Sequence, residues 1–168
     1  MDRRLADSVQ LIAFDFDGVL TDNRVLVFSG GEEAVFCNRT DGLAFDAFRA
    51  SGLRAIILST ERHGVVAARA AKLQVPALQA LADKSATLAD YCGSNNIDLV
   101  HVMFVGNDVN DLRVMQRVGF PIAVADAHPL VKACARIVLK RCGGDGVARE
   151  IAEDILALDI AGTEPWKA

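Results

Sequence analysis

Val9-Gln10-Leu11-Ile12-Ala13-Phe14, followed at once by Asp15-Phe16-Asp17-Gly18-Val19-Leu20-Thr21, sets the fold and the chemistry together. The first six residues form a short apolar run bounded by a polar turn, the pattern of a buried strand. Carboxylates at i and i+2 leave the strand end on the same side. Asp15 is placed to attack a phosphorus centre. Asp17, one step outward, is placed to protonate a leaving oxygen and then to activate water. Gly18 permits a tight backbone turn there. Clustered carboxylates repel one another and a phosphate dianion, so a divalent cation is expected, and hard oxygen donors favour Mg²⁺. A lone D-x-D also suits a loop whose aspartates merely cap a turn, and the rest of the chain separates the two readings.

Outward from this run, apolar strands alternate with helices. Arg24–Phe28 and Ala34–Cys37 flank Ser29-Gly30-Gly31-Glu32-Glu33 and read as a hairpin. Asp41–Ala50 reads as a helix closed by Ser51-Gly52, and Leu53–Leu58 as a strand. Helices are expected at Gly64–Leu73 and Lys84–Tyr91, with a strand or loop between them. Val100–Val105 reads as a strand, Val109–Arg117 as a short helix, and Pro121–Val124 and Ile137–Leu139 as strands. Asp145–Leu158 is an amphipathic helix with Val147, Ile151, Ile155 and Leu158 on one side. The expected class is α/β, a Rossmann-like three-layer α/β/α domain with a mostly parallel sheet. One domain over residues 1–160 is expected, with a hairpin flap at about 24–37 and a loose tail at 161–168. In such sheets ligands sit beyond the carboxyl ends of the strands.

The 168 residues are 52% hydrophobic and 24% charged, which argues against disorder. Charge interrupts every apolar stretch before about 18 residues, so no membrane span is expected. The polar first ten residues lack a signal-peptide core, and cytoplasmic localisation is expected. Eighteen Lys and Arg against 22 Asp and Glu give a net charge of −4 with no basic run, a poor match to nucleic acid. Cys37, Cys92, Cys134 and Cys142 form no C-x-x-C pair and read as reduced thiols.

Three further stretches each follow an apolar run or open a helix: Ser59, Lys84 within Ala82-Asp83-Lys84, and Gly106-Asn107-Asp108-Val109-Asn110-Asp111. Ser59 is a neutral donor for an anion, and Lys84 offers charge to offset Asp15 and a phosphoryl group. In this order, with D-x-D-G-V-L-T at the front as motif I and Gly106–Asp111 at the end as motif IV, the set resembles the four motifs of the haloacid dehalogenase (HAD) superfamily over residues 9–158. The resemblance implies a HAD-like fold, catalytic roles for Asp15, Asp17, Ser59 and Lys84, and Mg²⁺ as cofactor. It implies metal ligands among Asp15, Asp17, Asn107, Asp108 and Asp111. Aligned on Gly106 and Asp111, the usual metal-binding aspartate falls on Asn107, an uncharged oxygen donor.

The gaps between the motifs hold only the hairpin and single helices, so no cap domain is expected. The finer pattern resembles the cap-less phosphatases that act on 2-keto-3-deoxy sugar acid phosphates. Asn38-Arg39-Thr40-Asp41-Gly42 is similar to a substrate-contacting stretch of that group. Gly119–Pro129, with Ala125-Asp126-Ala127-His128-Pro129, and Gly143–Glu150 match two of its signatures. The resemblance implies a homotetramer whose neighbours close an otherwise open site, with the hairpin as an interface. Ser59-Thr60-Glu61 stands where octulosonate 8-phosphate enzymes read T-G-R, and Glu61 with Lys72 resembles the nonulosonate 9-phosphate type. A nine-carbon ester is therefore the favoured expectation, with the eight-carbon ester or a weakly active oligomerisation module as alternatives. Thr60, Glu61 and Lys72 join the expected substrate contacts, as does Arg69, read as a holder of the substrate carboxylate. His63 is read as a residue of the site mouth or a solvated side chain, His101 as structural, and His128 as the cap of the next helix. The partners expected are a small phosphate ester and further copies of the chain.

Overall fold

A computed structural model of the chain describes residues 7–62 and 64–161. His63 and residues 162–168, most of the expected tail, lie outside the described residues. Six parallel strands form one sheet in the order β5-β4-β1-β6-β7-β8: β1 (Leu11–Asp15), β4 (Arg54–Leu58), β5 (Ala77–Leu78), β6 (Val102–Gly106), β7 (Phe120–Ala123) and β8 (Ile137–Val138). The antiparallel pair β2 (Thr21–Val27) and β3 (Glu33–Cys37) makes a separate hairpin. The expected α/β architecture with a hairpin insertion is what forms.

The apolar run at the front of the chain becomes the central strand because both its faces are covered. Leu11, Ile12, Ala13 and Phe14 have no exposed surface. β1 pairs with β4 on one side, Asp15 opposite Leu58, and with β6 on the other, Phe14 opposite Val105. The chain winds outward through β4 and β5, then crosses back to β6. The strand order reverses at β1, and that reversal opens a crevice at the carboxyl ends. Asp15, Ser59 and Asn107, each just at or after a strand end, converge on it.

Helices α1 (Thr40–Ala50), α2 (Gly64–Leu73) and α6 (Val147–Glu150) pack in one group, and α3 (Lys84–Ser94), α4 (Leu112–Met115) and α5 (Pro129–Cys134) in another. Phe45 and Phe48 of α1 meet Phe14 with ring centroids 5.2 and 6.3 Å away, which ties the first helix to the central strand.

Three expectations change in detail. The segment from Val109 forms a 3₁₀ turn over Val109–Asp111 before α4, because Asp108 and Asp111 cap each other's backbone. The last helix is α-helical only to Glu150, and Ile151–Ile155 is a π-helical stretch. The wider turn adds a residue, so Leu156 is buried where the regular period put Ile155. In α2, where the sequence sets Val65, Ala68 and Lys72 on related turns, the buried stripe is instead Val66, Ala70 and Leu73, which leaves Ala68 and Lys72 exposed.

Candidate active site

At the floor of the crevice one ammonium joins two carboxylates. Lys84 Nζ lies 2.7 Å from Asp15 Oδ1 and 2.8 Å from Asp111 Oδ1. Lys84 opens α3, whose preceding Asp83 accepts the N–H groups of Ser85 and Ala86. All three groups are buried. Asp15 Oδ1 also accepts the N–H of Phe16 at 2.7 Å. Burial, with Asp111 beside it, pushes the Asp15 carboxyl up to about 8 despite Lys84. Burial alone would lower Lys84, but Asp15 and Asp111 together hold it above its ordinary value. The floor is short of positive charge.

Asp17 stands half-buried above this floor. The intervening turn is tight: Val19, Leu20 and Thr21 all donate to the Phe16 carbonyl, and Gly18 takes φ +77°. A Cβ at Gly18 would lie 2.0 Å from Asn107 Nδ2, so this glycine lets motif I and motif IV touch. Ser59 is buried, and its Oγ accepts the N–H of Glu61 at 3.1 Å, leaving its proton to donate.

The motif IV residues divide. Asp111 has both oxygens engaged, Oδ1 by Lys84 and Oδ2 by the N–H groups of Asn107 and Asp108. It holds the floor in place. Asp108 is exposed and bonds the N–H of Val109. Asn107 Oδ1 is buried and has no hydrogen-bond partner among the described residues. Among the described residues no group of three or more His, Cys, Asp or Glu side chains is arranged to hold a metal. A cation here would depend on neutral oxygens beside the carboxylates, and the orphaned amide oxygen fits that need.

The later signatures brace this arrangement. His128 N–H donates to the Asn107 carbonyl at 2.8 Å, and its Nδ1 caps α5 by accepting Leu130 N–H. Asp126 accepts Gly143 N–H at 2.9 Å. A Cβ at Gly143 would lie 2.1 Å from the Gly18 carbonyl oxygen, and one at Gly144 2.5 Å from Asp22 N. The Gly143–Gly144 corner thus backs the motif I turn from behind. Glu150 closes it by accepting the N–H groups of Lys140 and Arg141.

A cleft of about 410 Å³ opens over the floor. Of the expected site residues, Asp15, Asp17, Thr60, Glu61, Asn107 and Asp108 line it. Asn38–Gly42, Arg69 and Lys72 do not. Asp41 is fully buried and accepts the N–H groups of Ala148 and Arg149, so it caps the last helix. Burial raises its carboxyl to about 6 against those bonds and the nearby Arg69. Asn38 bonds Thr40, and its carbonyl accepts Arg69 Nη2 at 2.7 Å. Arg39 and Lys72 face solvent. Asn23, Arg24, Val25, Glu33 and Val35 of the hairpin line the cleft and were not among the expected contacts. For Asn23, Arg24 and Val25 the available signal was their place two to four residues after Thr21.

His101 Nδ1 lies 2.9 Å from the Ser8 carbonyl, a structural position. The four cysteines are free thiols. No helix among the described residues is long and apolar enough to cross a membrane.

Comparison with known proteins supplies the frame. The profile of the haloacid dehalogenase-like hydrolases matches residues 69–151. The 3-deoxy-D-manno-octulosonate 8-phosphate phosphatase of Escherichia coli K12 is 33% identical over 152 residues, 90% of this chain and 81% of that protein. A Streptomyces avermitilis protein assigned to the HAD family of hydrolases shares 47% identity, with a TM-score of 0.89 over 92% of this chain and 95% of that one. The Moraxella catarrhalis 3-deoxy-D-manno-octulosonate 8-phosphate phosphatase, solved with magnesium, phosphate and the free sugar acid, shares 30% identity. Its TM-score is 0.87 over 92% of this chain and 89% of that one.

Proposed function

The chain belongs to the haloacid dehalogenase-like hydrolases, in the branch of the octulosonate 8-phosphate phosphatases, and from that membership we propose that it hydrolyses the phosphate monoester of a 2-keto-3-deoxy sugar acid, with 3-deoxy-D-manno-octulosonate 8-phosphate as the leading substrate. The observation that carries the reading is the Asp15–Lys84–Asp111 floor at the strand reversal, with Asp17 poised above it. The Escherichia coli and Moraxella catarrhalis relatives are named for the eight-carbon ester, so the eight-carbon ester displaces the nine-carbon one as first choice. Glu61 on the cleft wall, where those enzymes read arginine, supports the nine-carbon ester as the second.

Asp15 attacks phosphorus in line while the ester oxygen leaves, giving an aspartyl phosphate. Asp17 donates the proton that the leaving oxygen takes up, then accepts one from the water that cleaves the acyl phosphate. Lys84 and the Ser59 hydroxyl offset charge on the equatorial oxygens. Mg²⁺ supplies the remaining positive charge, held by Asp15, the Asp17 carbonyl and the Asn107 amide oxygen. Asp108 is free to reach the same ion, and Asp111 contributes through the backbone it holds. Because Asn107 is neutral, Asn107→Asp is expected to tighten Mg²⁺ binding about tenfold, read by calorimetry as well as by activity.

A homotetramer closes the cleft in this reading. Its support is the hairpin, where Val25, Leu26, Val27, Phe28 and Phe36 are 49–73% exposed. Asn38, Arg39, Thr40, Gly42, Arg69 and Lys72, away from the cleft of their own chain, then meet substrate only through that assembly, whereas Asp41 stays buried as a helix cap.

The test is Mg²⁺-dependent phosphate release from the eight-carbon ester, the two nine-carbon esters (2-keto-3-deoxynononate and N-acetylneuraminate 9-phosphates) and an aryl phosphate. A kcat/KM highest for the eight-carbon ester supports the first reading. Preference for a nine-carbon ester moves the assignment to the second, and a preference for the aryl ester overturns both.

A further inference from the structure

The charged side chains lining the cleft are unequal in sign. Asp15, Asp17, Glu33, Glu61 and Asp108 are carboxylates, and Arg24 is the one cation among the described lining residues. Lys84 lies beneath them, engaged by Asp15 and Asp111. A phosphate ester bearing a second anionic group, far from its phosphate, therefore meets an acidic wall with a single guanidinium in it.

An irregularity in β2 puts that guanidinium there. Successive residues of a regular strand point to opposite faces. Here Asn23, Arg24 and Val25 all line the cleft. The pairing of β2 with β3 shifts register between Thr21 and Val25, and Asn23 takes φ +63°. Such a bulge re-aims side chains, and asparagine tolerates the left-handed conformation better than most residues. The Gly144 corner packs against Asp22 N and holds the bulge from behind.

Asp22 then fixes the side chain. One carboxylate oxygen accepts Arg24 Nε at 2.9 Å and lies 2.8 Å from Nη2, and the other accepts the Arg24 N–H at 3.2 Å. The Arg24 side chain is still 81% exposed, and among the described residues Nη1 makes no hydrogen bond. The Nη1 edge of the fork is thus unengaged on a residue that lines the cleft. Arg69, the cation expected from the sequence to hold a carboxylate, is turned instead to the Asn38 carbonyl.

We infer that Arg24 is the specificity residue that recognises the carboxylate of the substrate, and that Asp22 and the bulge at Asn23 are its positioning elements. This rests on the reading of the substrate as an anionic sugar ester. Arginine matches a carboxylate with two parallel N–H donors, which lysine cannot reproduce. The carboxylates on that wall disfavour an anion beside them, so the one cation that the chain itself places there also biases the orientation of the sugar.

A matched pair of esters tests it: 6-phosphogluconate and sorbitol 6-phosphate, which differ by a carboxylate against a hydroxymethyl group. Each is measured as KM with Mg²⁺, or as an inhibition constant against 4-nitrophenyl phosphate where turnover is low. Arg24→Ala is expected to reduce the preference for the acid about 10- to 100-fold, the range for losing one charge-assisted contact. The loss lies in KM rather than kcat. Arg24→Lys restores less than half of it, and Asp22→Asn falls between. Equal effects of Arg24→Ala on both esters, or no effect on either, overturn the inference. The outcome separates from the proposed function. If wild-type protein leaves the eight- and nine-carbon acids intact yet discriminates the pair through Arg24, the substrate assignment fails and this inference stands. If it hydrolyses the eight-carbon acid with a KM that Arg24→Ala does not move, the reverse holds.

Discussion

The floor of the cleft and the hairpin above it are built on opposite principles. On the floor Lys84, Asp15 and Asp111 are buried and bonded to one another or to backbone. The hairpin exposes its apolar residues, Phe36 to 73%, and touches the cleft through a bulge. The floor gains rigidity from low dielectric, where an unpaired charge is costly and a paired one holds its geometry. The hairpin strands pair with each other outside the main sheet and keep their apolar side chains exposed, so those side chains can change at little cost to the core. On the proposed reading, chemistry is fixed in the first region, and choice of substrate and of neighbours is left to the second.

Lys84→Met is the most severe way to break the contrast. It leaves two buried carboxylates facing each other and is expected to cost about 3–5 kcal/mol of unfolding free energy in a urea titration, with activity falling to background. A variant as stable as wild type would show that the floor is not a buried pair.

Asp41 sharpens the same comparison through pH. Its carboxyl, raised from 3.8 to about 6 in the fold, favours folding only while protonated. Its contribution is present below about pH 4 and is lost as pH rises through 6. Asp41→Asn does not titrate, so its stability relative to wild type should rise by about 2–3 kcal/mol between pH 4 and pH 7. A flat difference across that window would remove the burial effect assigned to Asp41.

Gly143→Ala probes what supports the floor from behind. A methyl group 2.1 Å from the Gly18 carbonyl forces the motif I turn to move. The expected cost is about 1–3 kcal/mol, together with a fall in kcat. Gly42→Ala is the control: a Cβ there meets nothing within 4 Å, and the helix should gain about 0.5–1 kcal/mol.

Leu26→Glu with Phe36→Ser carries the smallest expected effect on the fold, within about 0.5 kcal/mol for exposed positions. Light scattering should show the assembly reduced to smaller species while circular dichroism is unchanged. An assembly that survives both changes would move the interface off the hairpin.

The two regions were not equally legible in the sequence. β1 is an unbroken apolar run with a carboxylate at its end, so the strand follows from local pattern, while its chemistry follows only when the three later stretches are read with it. Lys84 was legible only through its joint placement with Asp15, Ser59 and the Gly106–Asp111 run, since by itself it reads as a surface lysine. The role of Asp111 was not, because its two oxygens are taken by a lysine 27 residues away and by its own turn's backbone. Asp41 read as a substrate contact, yet its partners are N–H groups 107 and 108 residues further on. No periodicity announces such long-range bonds. The π-helical stretch that buries Leu156 was hidden for a similar reason, since packing overrides the 3.6-residue period locally. Hairpin strands were visible as β-prone runs, but the bulge that points Arg24 into the cleft depends on pairing register, which sequence alone leaves open.

The most direct test of the floor's chemistry is a single-turnover reaction of wild-type protein with Mg²⁺ and 3-deoxy-D-manno-octulosonate 8-phosphate, quenched in acid and read by peptide mass spectrometry beside Asp15→Asn. The account predicts a phosphoryl group on Asp15 that forms and decays with the release of phosphate, and loss of turnover by at least about 10³-fold in the variant. Phosphate release at near wild-type rate from Asp15→Asn would contradict it.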